Sequence, residues 1–436
     1  MRVAAPEGAL GRHVMHKVAW RLIPLLGLMY FFAFLDRVNV GYAALTMNAD
    51  IGLSAVAYGI GSGIFFIGYV LFEVPSNVML ERFGARIWLA RIMITWGLLS
   101  GAMALVQGPW SFYLVRFLLG IAEAGFFPGV IYYLTCWFPA RHRARVMALF
   151  LIALPFSAVI GAPLSTALLG IEAWGLRGWQ WMFVLEAVPT VLIGFVVLFV
   201  LTNRPQEAKW LSAGEKTWLV QELAAETAGH AQDHRGSLRR ALTLPHVWLF
   251  GLVYFGILVG LYGFSFWFPQ IVASLGQLSN MQVGLATMLP YLVACIVMVW
   301  WGRHSDATGE RAWHVAGPPL LGALALCASV WLGQPLWVFV ALSIAAVGIY
   351  SGLPAFWALA STGLSGVAAA GAIALINSLG NLGGFIGPAV IGFTKERTGS
   401  YGMSMLLPAA CLLLTALMVF VARRSALRAS QGSKAS

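Results

Sequence analysis

Twelve apolar runs of membrane-spanning length, separated by short polar segments, constrain this chain more than any other feature of its sequence. An α-helix rises about 1.5 Å per residue, so roughly 20 apolar residues cross the hydrocarbon core of a bilayer. With 60% hydrophobic and 10% charged residues, the 436-residue chain has too few polar groups to cover a water-soluble globule. The sequence therefore predicts an all-α integral membrane protein whose partner is the lipid bilayer. The predicted spans are 20–46, 55–79, 86–107, 110–137, 145–170, 179–201, 246–274, 281–302, 313–333, 336–361, 367–393 and 401–422. The first run is too long for a cleavable signal peptide, and we expect it to remain in the chain.

The net charge of +11 is distributed unevenly around these spans. If both termini are cytoplasmic, all but five of the 27 Lys and Arg residues fall in cytoplasmic segments. The five exceptions are Arg37, Arg116, Arg177, Lys395 and Arg397. This asymmetry follows the positive-inside rule, so the basic charge indicates orientation in a bacterial-type inner (plasma) membrane and not a nucleic-acid partner. The four cysteines have no metal-ligand or redox spacing, and neither a metal nor a cofactor is expected.

The chain divides into two six-helix halves, residues 1–201 and 246–436, joined by the polar segment 202–245. Ser212 and Glu215 form a capping-box pattern within that linker, which predicts a short amphipathic helix on the cytoplasmic surface. A solvated tether is the alternative. Both termini are then cytoplasmic, and a monomer is expected.

Corresponding residues recur in the two halves at one offset of 225 residues. The loop after the second span matches the loop after the eighth at four positions, and a proline matches between the fifth and eleventh spans. The pairs are Asn77 with Gly302, Glu81 with Asp306, Gly84 with Gly309, Arg86 with Arg311, and Pro163 with Pro388. A constant offset indicates duplication of a six-helix unit, and hence two pseudo-symmetric bundles.

These two loops resemble the signature loop of the major facilitator superfamily, although Asn77 stands where that pattern has Gly and Glu81 where it has Asp. The resemblance implies that the loops take part in gating. A carboxylate at a helix end, met by an arginine across the turn, can hold one conformational state. Ordinary positive-inside loop chemistry is the alternative for each copy. The candidate gating residues are Asn77, Glu81, Arg82, Gly84, Arg86, Gly302, Asp306, Gly309 and Arg311.

Four longer strings narrow the resemblance to the anion:cation symporter family. They are Phe34-Leu35-Asp36-Arg37-Val38-Asn39, Phe72-Glu73-Val74-Pro75-Ser76-Asn77, the segment 116–129 and Gly178-Trp179-Gln180-Trp181. Within that family the chain is most similar to tartrate-type and related carboxylate permeases. The fifth span contains Gly161-Ala162-Pro163 and lacks the Gly-Pro pair and double Gly of drug antiporters, which favours uptake.

Four ionisable residues lie inside predicted spans of the first half: Asp36, Arg37, Arg116 and Glu123. A charged side chain at a helix centre costs about 2.5–3.5 kcal/mol on insertion scales, so we expect each of these four residues to have a functional or structural role. Arg116 and Glu123 are two turns apart and share one helix face. A buried ion-pair network that only fixes packing is the structural alternative.

Two arginines and two carboxylates sum to zero charge, and protonating one carboxylate leaves an arginine free to attract an anion. Proton binding and anion binding then favour each other. The family resemblance implies that Asp36 and Glu123 carry protons, and that Arg37 or Arg116 binds the substrate carboxylate through two parallel hydrogen bonds.

Other polar side chains in apolar spans are candidate substrate ligands, or else interhelical hydrogen bonds. They are Tyr69, Gln270, Tyr350, Ser351, Asn377 and Asn381. Glu73 and Glu186 are predicted near helix ends, within reach of water and structural in role.

The sequence thus predicts a transporter that imports a small organic anion, such as a hydroxy-dicarboxylate, together with protons. An exporter or uniporter of the same fold is the alternative. An enzyme is not expected, because the eight histidines lie mostly at termini and loops. A channel is disfavoured by the twofold repeat.

Overall fold

A computed structural model describes residues 8–228, 244–360 and 366–435, and almost all of them are helical. We number the membrane-crossing helices α1 to α12 and call Ala213–Ala228 the linker helix. The first bundle contains α1 (Ala9–Asp50), α2 (Ala55–Phe83), α3 (Ala85–Leu105), α4 (Pro109–Thr135), α5 (Ala140–Leu151 with Ala153–Leu168) and α6 (Gly178–Val200). The second contains α7 (Pro245–Ser274), α8 (Asn280–Thr308), α9 (Ala312–Trp331), α10 (Pro335–Ala360), α11 (Gly366–Thr398) and α12 (Tyr401–Ala435).

Eleven helices of the described chain are long and apolar enough to cross a membrane. The fifth predicted span differs, because its helix is interrupted at Ile152 and its apolar piece Ala153–Leu168 is too short alone. The preceding piece, Ala140–Leu151, completes the crossing length and carries the basic residues of the α4–α5 turn. The predicted twelve-helix, two-bundle architecture is confirmed, with α5 in two pieces.

Helix ends repeat between the bundles at the same 225-residue offset that relates the loops. Ser54 caps the start of α2 by accepting from Ala57 N at 3.2 Å, and Ser279 caps α8 by accepting from Gln282 N at 3.3 Å. Gly84 ends α2 and Gly309 ends α8, both at positive φ (84° and 67°), where glycine alone is free of strain. Equivalent residues therefore begin and end equivalent helices, as a duplicated unit requires.

The bundles meet along two symmetry-related helix pairs, α2 with α11 and α5 with α8. Gly59 of α2 lies against the backbone oxygen of Pro388, and its repeat partner Gly284 of α8 lies 2.7 Å, measured from an ideal Cβ, from the oxygen of Ala162. Small residues let the backbones approach this closely. Both contacts lie at the end of the molecule opposite the linker helix. We call that end the far side and the other the linker side.

The linker helix is fixed to the first bundle by side chains at its start. The predicted capping box is present: Ser212 N donates to Glu215 Oε2 at 2.7 Å, and Glu215 N donates to Ser212 Oγ at 3.3 Å. Glu215 also accepts from Lys17 Nζ of α1 at 2.9 Å. Arg141, in the first turn of α5, donates from Nη1 to Glu222 Oε1 at 2.8 Å. The linker helix is thus docked to the ends of α1 and α5.

Acidification is expected to loosen this docking. The Ser212 backbone N–H and, next, Lys17 hold the pKa of Glu215 below its ordinary value, so the carboxylate stabilises the docked helix above that value. This stability is lost as the pH falls through the lowered pKa. Hydrogen exchange of 213–225, corrected for intrinsic rates, should accelerate in Glu215→Gln at neutral pH as in the acidified wild type. Lys216→Gln is the control, and equal acceleration there would contradict the role of Glu215.

Many large apolar side chains are exposed on the outward faces of the helices, among them Leu105 (74%), Phe199 (83%) and Leu98 (61%). So many exposed apolar side chains on the outward faces are typical of lipid contact. The charged side chains near the middle of the spans, by contrast, are buried: Asp36, Arg37, Glu73, Arg116, Glu123 and Glu186.

Candidate functional site

Helix interruptions place the charged residues of α1 and α4 in the middle of the molecule. The first piece of α1 ends at Val38, one residue after Arg37. The first piece of α4 ends at Glu123, followed by Ala124 in an extended conformation (ψ 133°) and Gly125 at φ 81°. Interrupted helices at membrane depth are tolerated where they face a cavity or protein. The local sequence therefore presents Arg37 and Glu123 from helix ends.

Arg37 and Glu123 form an ion pair, and both side chains are buried. Arg37 Nη1 also donates to Tyr262 Oη of α7 at 2.7 Å, so this arginine links the two bundles. Its guanidinium carbon lies 5.2 Å from the ring centre of Phe65 and 5.5 Å from that of Tyr69. Aromatic faces attract the cation through their quadrupoles. Arg37 Nε is also buried, and it has no hydrogen-bond partner among the residues that the structure describes.

Arg37 lines a cavity between the two bundles. The centre of a water molecule can occupy about 40 Å³ of this cavity. Four tyrosines and two asparagines supply most of the other polar groups, and leucines and two large aromatic rings supply the apolar wall. The lining is Tyr30, Arg37, Tyr69, Phe127, Leu151, Leu154, Tyr254, Leu258, Leu261, Tyr262, Leu353, Trp357, Asn377 and Asn381. This is an apolar chamber with one cation and several hydrogen-bonding groups, the usual make-up of a small-molecule site.

Asp36 points away from this cavity, into the first bundle. Its Oδ2 accepts from Trp96 Nε1 of α3 and from Thr190 Oγ1 of α6, each at 2.9 Å. The carboxylate of Glu186 is a nearby like charge. Asp36 is therefore a buried carboxylate held by neutral donors and not by either arginine.

Arg116 is also buried, and it bonds to the backbone of α2. Its Nη2 donates to Ser62 O at 2.9 Å and its Nε to Gly61 O at 3.4 Å. It lies outside the cavity lining. It does interact electrostatically with Glu123, as the shared helix face predicted.

The remaining predicted ligands separate into two groups. Tyr69, Asn377 and Asn381 line the cavity. Gln270 lies towards the far side, where its Oε1 accepts from Asn48 Nδ2 at 3.4 Å. Ser351 donates to Val347 O at 2.6 Å, next to the interruption of α10. Tyr350 lies outside the lining, with its Oη 2.9 Å from Ser265 Oγ of α7. The structure thus brings three of the six together around Arg37.

Glu73 and Glu186 are not near water, contrary to the sequence-based expectation. Their side chains are 1% and 2% exposed. Glu186 accepts from Asn39 Nδ2 at 2.9 Å and from Ser165 Oγ at 2.6 Å. The expectation was based on the short distance of both residues from a helix end. It is wrong because neighbouring helices cover both residues. The neutral charge count of the spans is wrong for the same reason, since it omits two buried carboxylates.

The two signature loops differ in their contacts. In the second copy Arg311 and Asp306 form an ion pair at 2.6 Å, and Arg311 also donates to Ser305 Oγ at 3.0 Å. Gly302 of this copy faces Pro354 of α10. The predicted carboxylate–arginine contact is therefore present after α8.

In the first copy Arg86 N donates to Asn203 Oδ1 at 2.9 Å, against which Gly84 packs. Asn77 donates to Glu73 O at 2.9 Å, and Arg82 lies over Phe83. No ion pair joins Glu81 to Arg86 within the described ranges. The first loop is thus held to the end of α6 in place of the predicted carboxylate–arginine contact.

Tyr30, Tyr254 and Tyr262 line the cavity but were not predicted from the sequence. The internal duplication could have predicted one of them, because Tyr262 is the repeat partner of Arg37, 225 residues away. Residues equivalent by duplication face the same central axis from opposite bundles. The other two tyrosines lie in apolar runs with no distinguishing spacing.

A central cavity between two related six-helix bundles, with a buried ion pair in its wall, defines this protein as a membrane transporter and not an enzyme. The model of the Major Facilitator Superfamily matches residues 26–388, and the chain belongs to that family.

Named relatives and a solved structure agree with this membership. The chain is 51% identical to a "Putative tartrate transporter" of Agrobacterium vitis, over 96% of this chain and 93% of that one. It is 42% identical to a "Quinolone resistance transporter" of Acinetobacter baumannii, over 94% and 95%. Its fold is similar to the crystal structure of a bacterial homologue of the human lysosomal transporter Spinster, with a TM-score of 0.75 at 18% identity, covering 95% of this chain and 98% of that one.

Proposed function

We propose that this transporter is a proton symporter of the anion:cation type, which imports a small organic carboxylate across the inner (plasma) membrane. The observation that carries the proposal is the buried Arg37–Glu123 ion pair in the wall of the central cavity. The tartrate-transporter name of the Agrobacterium vitis relative supports a hydroxy-dicarboxylate as the substrate class.

Substrate and Glu123 compete for one guanidinium. While Glu123 is ionised, it neutralises Arg37, and an incoming carboxylate finds no net charge to bind. Protonation of Glu123 releases Arg37, whose planar fork can then hold the substrate carboxylate through parallel hydrogen bonds. By linkage, bound substrate favours protonation of Glu123 to the same extent. This reciprocity makes the proton a co-substrate.

Asp36 supplies a second proton site in this proposal. It is joined to Arg37 through the backbone of α1, and it has only neutral hydrogen-bond donors and a like charge nearby. A change of its charge alters the packing of α1 against α3 and α6. Asp36 therefore couples the proton to helix movement without touching the substrate.

The cavity lining favours a hydroxylated carboxylate. Asn377 and Asn381 offer amide donors and acceptors opposite Arg37, and Tyr69 and Tyr262 offer hydroxyls. Because the volume open to water is small, the bundles must separate further to admit a dicarboxylate. Gln270, Ser351 and Arg116 support the surrounding helices. Bound substrate then stabilises one of the conformations of the transporter over the others.

The basic residues of the linker side support a cytoplasmic location for that side. Arg12, Lys17, Arg141, Arg143, Arg303, Arg311 and Arg423 all lie there, and positive charge is retained on the cytoplasmic face. Both termini are then cytoplasmic, and the signature loops Asn77–Arg86 and Gly302–Arg311 lie at the inner gate. As a separate part of the proposal, the transporter acts as a monomer.

Uptake into proteoliposomes tests the function. With an inward proton gradient, labelled tartrate or a related organic acid should accumulate above its equilibrium level. In Glu123→Gln the gradient should no longer drive accumulation, because the carboxylate that pairs with Arg37 can no longer exchange a proton. Exchange of substrate across the membrane without a gradient should persist in that variant.

Glu222→Gln is the matched control, because it removes the carboxylate of an exposed pair with Arg141 and leaves the cavity intact. It should accumulate substrate like the wild type. If no carboxylate accumulates under any gradient, or if Glu123→Gln accumulates normally, the symport proposal fails. Proton-driven extrusion of a quinolone in the same vesicles would then favour an exporter, as the name of the Acinetobacter baumannii relative indicates for that protein.

A further inference from the structure

Glu73 of α2 makes a contact between the bundles that the proposed transport cycle does not yet use. Its carboxylate accepts from Asn377 Nδ2 at 2.6 Å and from Ser378 Oγ at 2.7 Å, both on α11. The side chain is 1% exposed and lies in the linker-side half of α2. Glu73 therefore closes part of the interface between the bundles on that side.

Among the residues that the structure describes, the groups around this carboxylate are neutral. The titratable side chains that face it are Tyr69 of α2 and Tyr254 of α7, and tyrosine is neutral at physiological pH. From α11 it meets an amide and a hydroxyl. Within the described part of the chain no Arg, Lys or His forms an ion pair with it. Ionised Glu73 is thus a buried charge without a counter-ion, which costs several kcal/mol even when hydrogen-bonded.

The protonated side chain fits the same contacts without that cost. Its carbonyl oxygen can accept from Asn377, and its hydroxyl can donate to Ser378 Oγ, because a serine hydroxyl both donates and accepts. When the bundles separate on the linker side, water replaces α11 and the ionised form becomes favourable. Closed and open states therefore differ in proton affinity at this one residue.

We propose that Glu73 is a proton-operated latch, which must be protonated for the linker side to close and which opens that side when it loses its proton. The proposal rests on the proposed proton symport, and it adds a third coupling residue beside Asp36 and Glu123. Asn377 belongs both to the latch and to the cavity lining, so the latch is joined to the substrate site. A low proton concentration on the linker side then favours opening and substrate release.

The same helix pair is bridged at its far-side end by a second carboxylate. Glu396 of α11 accepts from the backbone nitrogen of Val56, in the first turn of α2, at 2.8 Å. Carboxylates are favourable at helix N-termini, and this one is exposed to solvent, so it can stay ionised in the bridged state. Glu73 and Glu396 thus hold α2 to α11 at opposite ends, and only the buried one requires a proton.

Spin-label distances across the linker side test the latch without substrate. Labels at Phe83 and Ala307, exposed ends of α2 and α8, are introduced into the full chain with its four cysteines changed to serine and reconstituted in bilayers. In the wild type the closed-to-open ratio should rise as the pH falls from about 8 to about 5, by up to about tenfold per unit for one linked proton. In Glu73→Gln, whose amide mimics the protonated acid, the closed state should dominate throughout.

Glu222→Gln is the control, because it removes a carboxylate on the same side of the molecule whose pair with Arg141 lies outside the α2–α11 contact. It should keep the wild-type pH dependence. Ser378→Ala removes the hydroxyl from the other side of the latch and should lower the closed fraction at acidic pH several-fold. The latch is refuted if Glu73→Gln titrates like the wild type, if Glu222→Gln is as flat as Glu73→Gln is expected to be, or if Ser378→Ala changes nothing. These readouts need no transported substrate, so they are separable from failure of the uptake experiment.

Discussion

Replacing Arg37 with lysine is expected to lower kcat/KM for carboxylate uptake by about 100-fold. The guanidinium contacts Glu123 and Tyr262 at the same time, and Arg37 lines the cavity. An ammonium group keeps the charge but loses the planar fork, and each lost charge-assisted hydrogen bond costs about 1.5–3 kcal/mol. Since every 1.4 kcal/mol is tenfold, initial uptake rates over a range of substrate concentrations will show the loss.

The same substitution at Arg116 is the control for this prediction. Arg116 is equally buried but donates to the carbonyls of Gly61 and Ser62 on α2. Arg116→Lys should lower the thermal unfolding temperature of the detergent-solubilised protein while changing KM by less than about threefold. If Arg116→Lys raises KM and Arg37→Lys does not, the substrate-binding arginine has been assigned to the wrong residue.

Substituting alanine for Gly59 is expected to prevent closure of the far side and to reduce uptake turnover at least about tenfold. The added methyl group would collide with the backbone oxygen of Pro388, and a backbone cannot move aside as a flexible side chain does. Overpacking of this kind costs about 1–3 kcal/mol, which displaces a two-state equilibrium about 5- to 150-fold. Because only the closed state makes this contact, the population shifts towards the far-side-open state.

Gly284→Ala tests the symmetry-related contact, where the methyl group would meet Thr166 and the oxygen of Ala162. Labels at Leu105 and Leu336, exposed on the far side of the two bundles, should report a longer mean distance in both variants. Gly27→Ala is the matched control, since nothing lies within 4 Å of its added carbon. A wild-type distance in Gly59→Ala, or a loss of uptake in Gly27→Ala, would contradict this account of the gate.

Several features of the fold follow from local sequence because they depend on local energetics. Apolar run length determines where helices cross the membrane, and the 225-residue offset indicates the duplication without any information on contacts. Ser54, Ser279, Gly84 and Gly309 lie where backbone groups at helix ends need capping or a positive φ. The same reasoning identified Arg37 and Glu123, because a charge in a span is expensive unless it has a function.

The partner of each charge was decided only by the tertiary structure. Asp36 and Arg37 are neighbours in sequence, yet successive helical residues point about 100° apart, so one faces α3 and α6 while the other faces the cavity. Arg116 and Glu123 share a helix face, yet the arginine is satisfied by carbonyls of α2. No sequence spacing specifies which neighbouring helix supplies such partners.

Sequence alone thus determined that the chain crosses a membrane as two related six-helix bundles, and which buried charges require a function. Tertiary structure decided that Arg37 and not Arg116 faces the cavity, that Tyr262 joins it from the second bundle, and that Glu73 bridges to α11. The physical reason is that insertion cost and helix capping act within one segment, whereas burial and hydrogen bonding between helices depend on how separate segments pack.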